Sequence, residues 1–347
     1  MDRIKAIGIV LVVLGHAPGF DPRVTTFIYS FHMPLFFFVS GYVLSRARLD
    51  EPWWSYVRGR AGALLPPYVL FFVPSYAYWL LARNQGSHAG AQGILPWYDP
   101  LIGLLLGYGP ALYVNTALWF FCGLLVSLAL YHAICKRFGA GVALLVCALI
   151  AQAAVLVFPL RGVRLIWCME NACVAAFFVA LGQWCASRHL DLKAAQHPKV
   201  SIPVLALALT ATVVLCLING RTDLNKLEFG LFPALYLPNA VVGIVTVALL
   251  ARLMTDNRAL AWLSANTLII FPSHLLMFNV FTAVGVLVFG LPLDFKASSA
   301  WFGVIYAAAA LLLSVPLAYA LAKILPSVFG VGRPKAGPRS ATLADIR

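Results

Sequence analysis

The feature that most constrains this chain is the succession of long apolar segments that runs through nearly all of it. About 62% of its 347 residues are hydrophobic and only 11% are charged. A soluble domain of this size cannot bury so large an apolar fraction, because too much of its surface faces water. The composition therefore excludes a soluble enzyme, a disordered chain and a fibrous protein, and it indicates a multi-pass membrane protein.

Runs of about 20 mostly apolar residues can cross the hydrocarbon core of a bilayer as helices. The candidates cover approximately residues 4–18, 26–45, 62–82, 117–135, 139–159, 166–186, 200–219, 234–254, 267–290 and 302–324. Residues 93–113 stay open between a loop and a re-entrant segment. The sequence therefore predicts an all-α polytopic membrane protein with about ten transmembrane helices.

Lys and Arg are distributed unevenly over the connecting segments. If the N-terminus is cytoplasmic, few of the 25 Lys and Arg residues lie in the outer segments. Those few are Arg23, Arg83, Arg161, Arg164, Arg221, Lys226 and Lys296. Because cytoplasmic loops are enriched in Lys and Arg, this bias predicts that both termini are cytoplasmic. It also explains the positive net charge without a nucleic-acid partner.

We expect one membrane domain, residues 1–330, followed by a polar tail at 331–347 that is rich in Pro and Gly. The seven cysteines lie inside or near the ends of apolar runs and form no Cys-x-x-Cys pair. We interpret them as small buried hydrophobic residues and predict neither a disulfide framework nor a metal site.

Ionisable side chains inside a bilayer are costly and usually functional. The predicted spans contain four of note, namely His16, His32, Glu170 and His274. Their predicted depths are compatible with one shared cavity in the central or outer half of the membrane. Two alternatives stay open: each histidine as a partner in a helix–helix hydrogen bond, and Glu170 as a buried acid paired with Arg161 or Arg164.

Lys5 and His16 are placed to lie on one face of the first helix. Their spacing corresponds to three helical turns, or about 16 Å. A fitting ligand is long, anionic at its cytoplasmic end and reactive at its tip, as acyl-coenzyme A is. Asp2 is expected to pair with Lys5, and Arg58 and Arg60, in a predicted loop, to contact phosphates. The alternative for the two arginines is the ordinary positive-inside bias.

Several motifs resemble those of the membrane acyltransferase family 3. Asp-x-x-Lys at 2–5, followed by His16, resembles the opening motif, and Phe-Phe-Val-Ser-Gly at 37–41 matches the Phe-Phe-x-Ser-Gly signature. The stretch at 31–36 is similar to the fucose-4-O-acetylase-like branch. Weaker resemblances occur at Arg58-Gly59-Arg60, Pro66-Pro67-Tyr68, Leu118-Trp119-Phe120 and Ser273-His274. The alternative for the Ser-Gly pair is helix packing.

The resemblance implies a bacterial inner-membrane enzyme that O-acetylates sugars in exopolysaccharide biosynthesis. It implies acetyl-coenzyme A as co-substrate, no permanently bound cofactor and His16 as the catalytic histidine. The saccharide acceptor is either lipid-linked or already exported when it is modified.

A sugar hydroxyl needs a base before it can attack a thioester, and histidine suits that role. We expect His16 to be the base and His32 or Glu170 to orient it or stabilise charge; an acetyl-His intermediate stays open. Trp119 and His274 are expected to bind substrate. The aromatic residues in the outer loop 83–116 either stack on sugar rings or form an interfacial belt.

Two other functions stay open. The first is a proton-coupled transporter of a small or glycan-related substrate, with Pro34, Pro74, Pro238 and Pro272 breaking helices around it; no internal repeat supports this. The second is a non-catalytic membrane partner in a polysaccharide assembly complex.

Overall fold

A computed structural model describes residues 1–84, 95–162, 164–188 and 198–329 of the chain. Nearly all of this part is helical. The helices are α1 (Asp2–His16), α2 (Pro22–Tyr29), α3 (His32–Tyr42), α4 (Arg46–Asp50), α5 (Trp53–Ala82), α6 (Asp99–Leu106), α7 (Trp119–Phe138), α8 (Ala140–Arg161), α9 (Met169–Ser187), α10 (Pro198–Asn219), α11 (Tyr236–Leu253), α12 (Arg258–Ala265), α13 (Thr267–Leu287), α14 (Ala300–Ile324) and α15 (Pro326–Phe329). Strands β1 (Thr222–Asp223) and β2 (Glu228–Phe229) pair antiparallel. The tail predicted at 331–347 lies outside the described residues.

Nine segments of the described chain are long and apolar enough to cross a membrane. The remaining predicted span, which is the first in the sequence, corresponds to α1, whose 15 residues make it about 22 Å long. It is therefore shorter than the hydrocarbon core, which is about 30 Å thick. The protein is an all-α polytopic membrane protein, as predicted.

The helix bundle has two ends. We call the end that holds Met1 the N-terminal end; α3 and α9 finish there. The opposite end, where α1 finishes and α3 begins, is the distal end. Loops meet at the distal end: Arg164 donates hydrogen bonds to the carbonyls of Asn225 and Lys226. At the N-terminal end, Arg3 forms an ion pair with Asp256.

Burial separates central helices from peripheral ones. In the most apolar 18 residues of the span formed by residues 116–138, 72% are buried, against 17% in the span formed by residues 201–219. The peripheral helices α8, α10 and α14 carry apolar side chains on their open faces, including Leu145, Leu149, Leu160, Leu207, Leu217 and Leu312. Such faces suit contact with lipid rather than water.

The Phe-Phe-Val-Ser-Gly segment forms a close helix crossing. A Cβ atom on Gly41 would overlap the backbone of Val179, and one on Gly182 would overlap the backbone of Phe38. The Ser40 hydroxyl donates a hydrogen bond to the carbonyl of Phe36, within its own helix. The packing interpretation of this motif is therefore confirmed, because small residues let α3 and α9 touch backbone to backbone.

Two predicted spans differ from the structure. The second is not continuous, since α2 ends at Tyr29 and α3 begins at His32. Pro34 explains the break, because proline has no N–H to bond the carbonyl four residues earlier and its ring crowds that carbonyl. The third is longer than predicted: α5 has 30 residues and includes Arg58 and Arg60. The prediction that these arginines lie in a loop was wrong.

Candidate active site

Three histidines from three helices meet near the distal end. The ring centroid of His16 lies 5.0 Å from that of His274 and 6.4 Å from that of His32. Tyr29 completes the group, with its ring 5.6 Å from His16 and 4.8 Å from His32. The predicted depths of these histidines and Glu170 were compatible with one shared cavity, and the structure brings the three histidines together.

Each histidine has the same backbone anchor. The Nδ1–H of His16 donates to the carbonyl of Val12 at 2.9 Å, and that of His32 donates to the carbonyl of Ile28 at 2.9 Å. His274 donates in the same way to Phe271 at 2.6 Å. Because a carbonyl only accepts, the hydrogen bond assigns the proton of a neutral ring to Nδ1. Nε2 then carries the lone pair that a base requires.

Helix boundaries place two of these rings. His16 is the last residue of α1, and the chain turns to an extended conformation at Ala17. His32 is the first residue of α3, directly after the break caused by Pro34. His274 instead lies within α13, two residues after Pro272.

Asn115 fixes the position of Pro272. Its amide Nδ2 donates to the carbonyl of Pro272 at 2.8 Å and to the hydroxyl of Ser75 at 3.0 Å. The side chain is buried, and its Oδ1 accepts no hydrogen bond within the described structure. Asn115 therefore joins α5 to α13 next to His274. No sequence pattern pointed to Asn115, because a lone Asn in a connecting segment carries no recognisable signal.

A polar cavity of about 260 Å³ opens beside His16 at the distal end. Its lining includes the polar side chains of His16, Tyr113, Asn115, Thr116, Asn279, Thr282, Lys296 and Tyr306. Of the three histidines, only His16 is half-buried, since His32 is 2% and His274 0% exposed. His16 is therefore the histidine that a molecule in this cavity can reach.

Glu170 lies in a different environment. Its carboxylate accepts a hydrogen bond from the Leu165 N–H at 3.1 Å and faces the Arg164 guanidinium at 3.6 Å. The alternative that it pairs with an arginine is confirmed, and the partner is Arg164. Among the described residues, no ion pair or hydrogen bond joins Glu170 to a histidine of the cluster. The carboxylate anchors the distal loop, because Arg164 also holds the carbonyls of the segment after β1.

Trp119 also lies away from the cavity. Its ring is buried and packs against Phe37 and Phe120, at centroid distances of 6.2 and 6.5 Å. The predicted contact with a sugar therefore has no support in this arrangement. Among the outer-loop aromatic residues, Trp97 and Tyr98 are exposed, whereas Tyr113 lines the cavity and donates to Asp99 at 2.9 Å.

The predicted donor residues lie on two helices. Lys5 is half-buried on α1, three turns before His16. Asp2 does not pair with it, because its carboxylate accepts a hydrogen bond from Ser264 at 2.7 Å. Arg58 is exposed on α5, and Arg60 lies over the ring of Tyr56 at 5.5 Å.

A second cavity, of about 480 Å³, lies at the N-terminal end. We call it the basic cleft; its ionisable lining residues are Arg46, Asp50, Cys135, Lys136 and Arg188. The cleft also includes Gly139 to Gly141, where α8 begins without a side-chain cap. Free N–H groups at such a helix start favour anions. No sequence pattern singled out these cations, because Arg46, Lys136 and Arg188 come from the ends of three helices far apart in the chain.

The described residues include histidines, cysteines and carboxylates, the usual metal-binding groups. No cluster of three or more His, Cys, Asp or Glu side chains among these described residues is arranged to hold a metal ion. All seven cysteines are free, and five of them are buried.

A family model described as an acyltransferase domain matches residues 1–322 of the chain. No curated protein and no solved structure matches it. The matched range contains the histidine cluster, the cavity beside it and the basic cleft, and it reaches into the last turn of α14. The chain therefore belongs to the membrane acyltransferase family 3.

Proposed function

We propose that this acyltransferase moves an acetyl group from acetyl-coenzyme A to a saccharide hydroxyl, with His16 as the general base. The observation that carries the proposal is the position of His16. It is the one histidine of the cluster that lines the polar cavity, and its Nδ1–H is already bound to a carbonyl. The free Nε2 is therefore available to a hydroxyl in that cavity.

The proposed transfer is direct. Nε2 of His16 takes the proton of the acceptor hydroxyl while the hydroxyl oxygen attacks the thioester carbonyl carbon. The new C–O bond forms, the C–S bond breaks, and the thiolate leaves. The proton on Nε2 then passes to the thiolate, so that His16 is neutral again at the end. No oxidant, reductant or further reactant is needed.

His32 and His274 support this base from behind. Both are buried and contact His16 by ring–ring packing, so they fix the angle of its imidazole. Their own Nδ1–H groups are occupied by carbonyls, which leaves a lone pair on Nε2 of each ring that packs against His16. These lone pairs stabilise the imidazolium that forms during transfer, since they present negative potential to it. The structure assigns no comparable role to Glu170.

The donor is proposed to enter from the cytoplasm at the N-terminal end. Lys5 lies at that end of α1, and His16 lies at the other. A phosphorylated nucleotide near Lys5 would let a thin pantetheine arm reach the cluster, about 16 Å away along the helix. The acceptor would enter from the distal end, which the distribution of Lys and Arg predicts to face the outer side of the membrane.

Cysteine labelling tests this sidedness. On a background without the native cysteines, Asp294→Cys at the distal end should react with an impermeant thiol reagent in intact spheroplasts. Ala47→Cys at the N-terminal end should react only after the membrane is opened. Both positions are exposed in the structure. The reverse pattern would place the cavity on the cytoplasmic side and contradict the proposed donor route.

Thioester consumption by the purified protein tests the activity itself. We expect free coenzyme A thiol and acetylated saccharide to appear in equal amounts with acetyl-coenzyme A and an acceptor present. His16→Ala should produce neither. A protein that moves saccharide across vesicles without consuming thioester would be a transporter, and one that does neither would be a non-catalytic partner.

A further inference from the structure

One full positive charge lies in the cavity beside His16. Lys296 lines the cavity, and no carboxylate is among the lining residues in the part of the chain that the structure describes. No hydrogen bond or ion pair joins its side chain to another residue in the described part of the chain, although Asp294 lies two residues away. An ammonium group in a polar cavity without a protein counter-ion favours an anionic ligand.

Local packing holds this lysine at the cavity. Lys296 belongs to a short 3₁₀ segment, Leu293–Ala297, that packs against the turn after α1. Gly19, in that turn, has a φ of +83°, and a Cβ atom there would overlap the carbonyl of Ser299. Partial burial lowers the pKa of Lys296. A bound anion would offset that loss of solvation, since an opposite charge favours the charged form.

We infer that the acceptor is an anionic saccharide whose carboxylate or phosphate pairs with Lys296. The inference rests on the proposed function and narrows its substrate class. Because His16 and Lys296 line the same cavity of about 260 Å³, the reacting hydroxyl and the anion belong to the same or adjacent sugar units. Ligand pockets usually exceed about 300 Å³, so this one suits little more than a single ring.

The remaining lining groups suit sugar hydroxyls. The Thr282 hydroxyl donates to the carbonyl of Phe278 at 2.9 Å and therefore accepts from the Tyr306 hydroxyl at 3.0 Å, which leaves acceptor positions on both oxygens for a ligand. Asn115 contributes an amide oxygen that accepts no hydrogen bond from the described residues. Neutral groups of this kind would position a sugar ring, whereas Lys296 would select for a sugar that carries a negative charge.

Binding of matched saccharides to the purified full-length protein tests the inference without relying on turnover. The probes are methyl β-glucoside, methyl β-glucuronoside and glucose 1-phosphate, which carry no charge, a carboxylate and a phosphate. We expect one of the anionic probes to bind about 10- to 100-fold more tightly than the glucoside, as one charge-assisted contact predicts. The carboxylate and phosphate arms distinguish an acidic sugar from a glycosyl phosphate.

Substitution of the lysine should remove this preference selectively. Lys296→Met should bind all three probes as weakly as the wild type binds glucoside, whereas Lys296→Arg should retain the preference. The matched control is Lys226→Met, which removes an exposed lysine at the same end and should change nothing. If Lys296 served the thioester oxygen instead, Lys296→Met would lower turnover of neutral and anionic acceptors alike and leave the anion preference intact.

The outcomes separate this inference from the proposed function. Equal binding of neutral and anionic probes by the wild type, or no binding of either anion, overturns the inference. Thioester consumption with the glucoside but with neither anion also overturns it, while the proposed function stands. Lys296-dependent binding of an anion without any thioester consumption supports the inferred ligand class and overturns the proposed activity.

Discussion

The two ends of the molecule offer different chemistry. Among the described residues, the distal cavity contains an accessible histidine backed by two buried ones, with a single cation among hydroxyls and amides. The described lining of the basic cleft at the N-terminal end contains three cations and the uncapped start of α8, and it includes no histidine. The first arrangement suits proton transfer, and the second suits phosphate binding.

This separation is physically reasonable for a base that must be neutral. A group of cations around an imidazole would disfavour its protonation during the reaction, because like charges repel at short range, whereas the charge of Lys296 is proposed to be offset by the anion of the acceptor. Recognition of a highly charged donor is better placed many ångströms away. A substrate as long as acyl-coenzyme A can connect the two ends, whereas a compact donor cannot.

The largest effect is expected at His16. Both His16→Ala and His16→Gln should lower kcat by about 10²- to 10⁴-fold, since a general base contributes that much. His32→Gln and His274→Gln should cost less, because these rings only support the first. The measurement is coenzyme A release by purified variants that reach the membrane in normal amounts. Near-wild-type turnover by either His16 variant would remove the histidine from the chemistry.

The next effect decides which cations bind the donor. Lys5→Ala, Arg58→Ala and Arg60→Ala should each raise the donor KM by about 10- to 100-fold with little change in kcat, because one charge-assisted contact is lost. The comparison set from the basic cleft is Arg46→Ala, Lys136→Ala and Arg188→Ala. If only this second set raises the donor KM, the nucleotide lies in the basic cleft and the Lys5 assignment is wrong.

A smaller effect is expected at Asn115. Asn115→Leu leaves two buried acceptors, on Pro272 and Ser75, without their donor, which should lower the free energy of unfolding by about 1–3 kcal/mol. It should also lower kcat while leaving the donor KM unchanged, since it acts through the position of α13. Ser75→Ala is the control, because it removes one partner and keeps the contact to Pro272. Equal loss in both variants would show that Asn115 does not position His274.

The smallest effect is expected at the exposed ion pair that holds the start of α1. The Arg3 guanidinium lowers the pKa of Asp256 through a hydrogen bond of 2.6 Å. Because the pKa of Asp256 is lower in the folded protein than in the unfolded chain, the ion pair stabilises the fold at pH values above the unfolded-state pKa. This stabilisation is lost as the pH falls through the folded-state pKa. Asp256→Asn should therefore lower Tm slightly at neutral pH and not in acid. If the Tm of Asp256→Asn stayed below that of the wild type in acid, the loss of stability would not come from this ion pair.

The sequence by itself determined the class of protein and most of the histidine cluster. Ten apolar runs in 347 residues permit little except a helical membrane bundle, because every backbone polar group must be satisfied within the membrane. His16, His32 and His274 were recognisable because ionisable residues are rare in such runs. Periodicity likewise placed Lys5 and His16 on one helix.

Only the tertiary structure decided which of these groups act together. Glu170 and His16 look alike in the sequence as ionisable residues in apolar runs, yet one faces Arg164 and the other faces a cavity. Asn115, Tyr29 and Lys296 reach that cavity or cluster from connections and helices far apart in the chain. Sequence patterns report helix periodicity, which is a local property. A site between helices depends on the paths of the loops and on helix packing, which involve residues far apart in the chain.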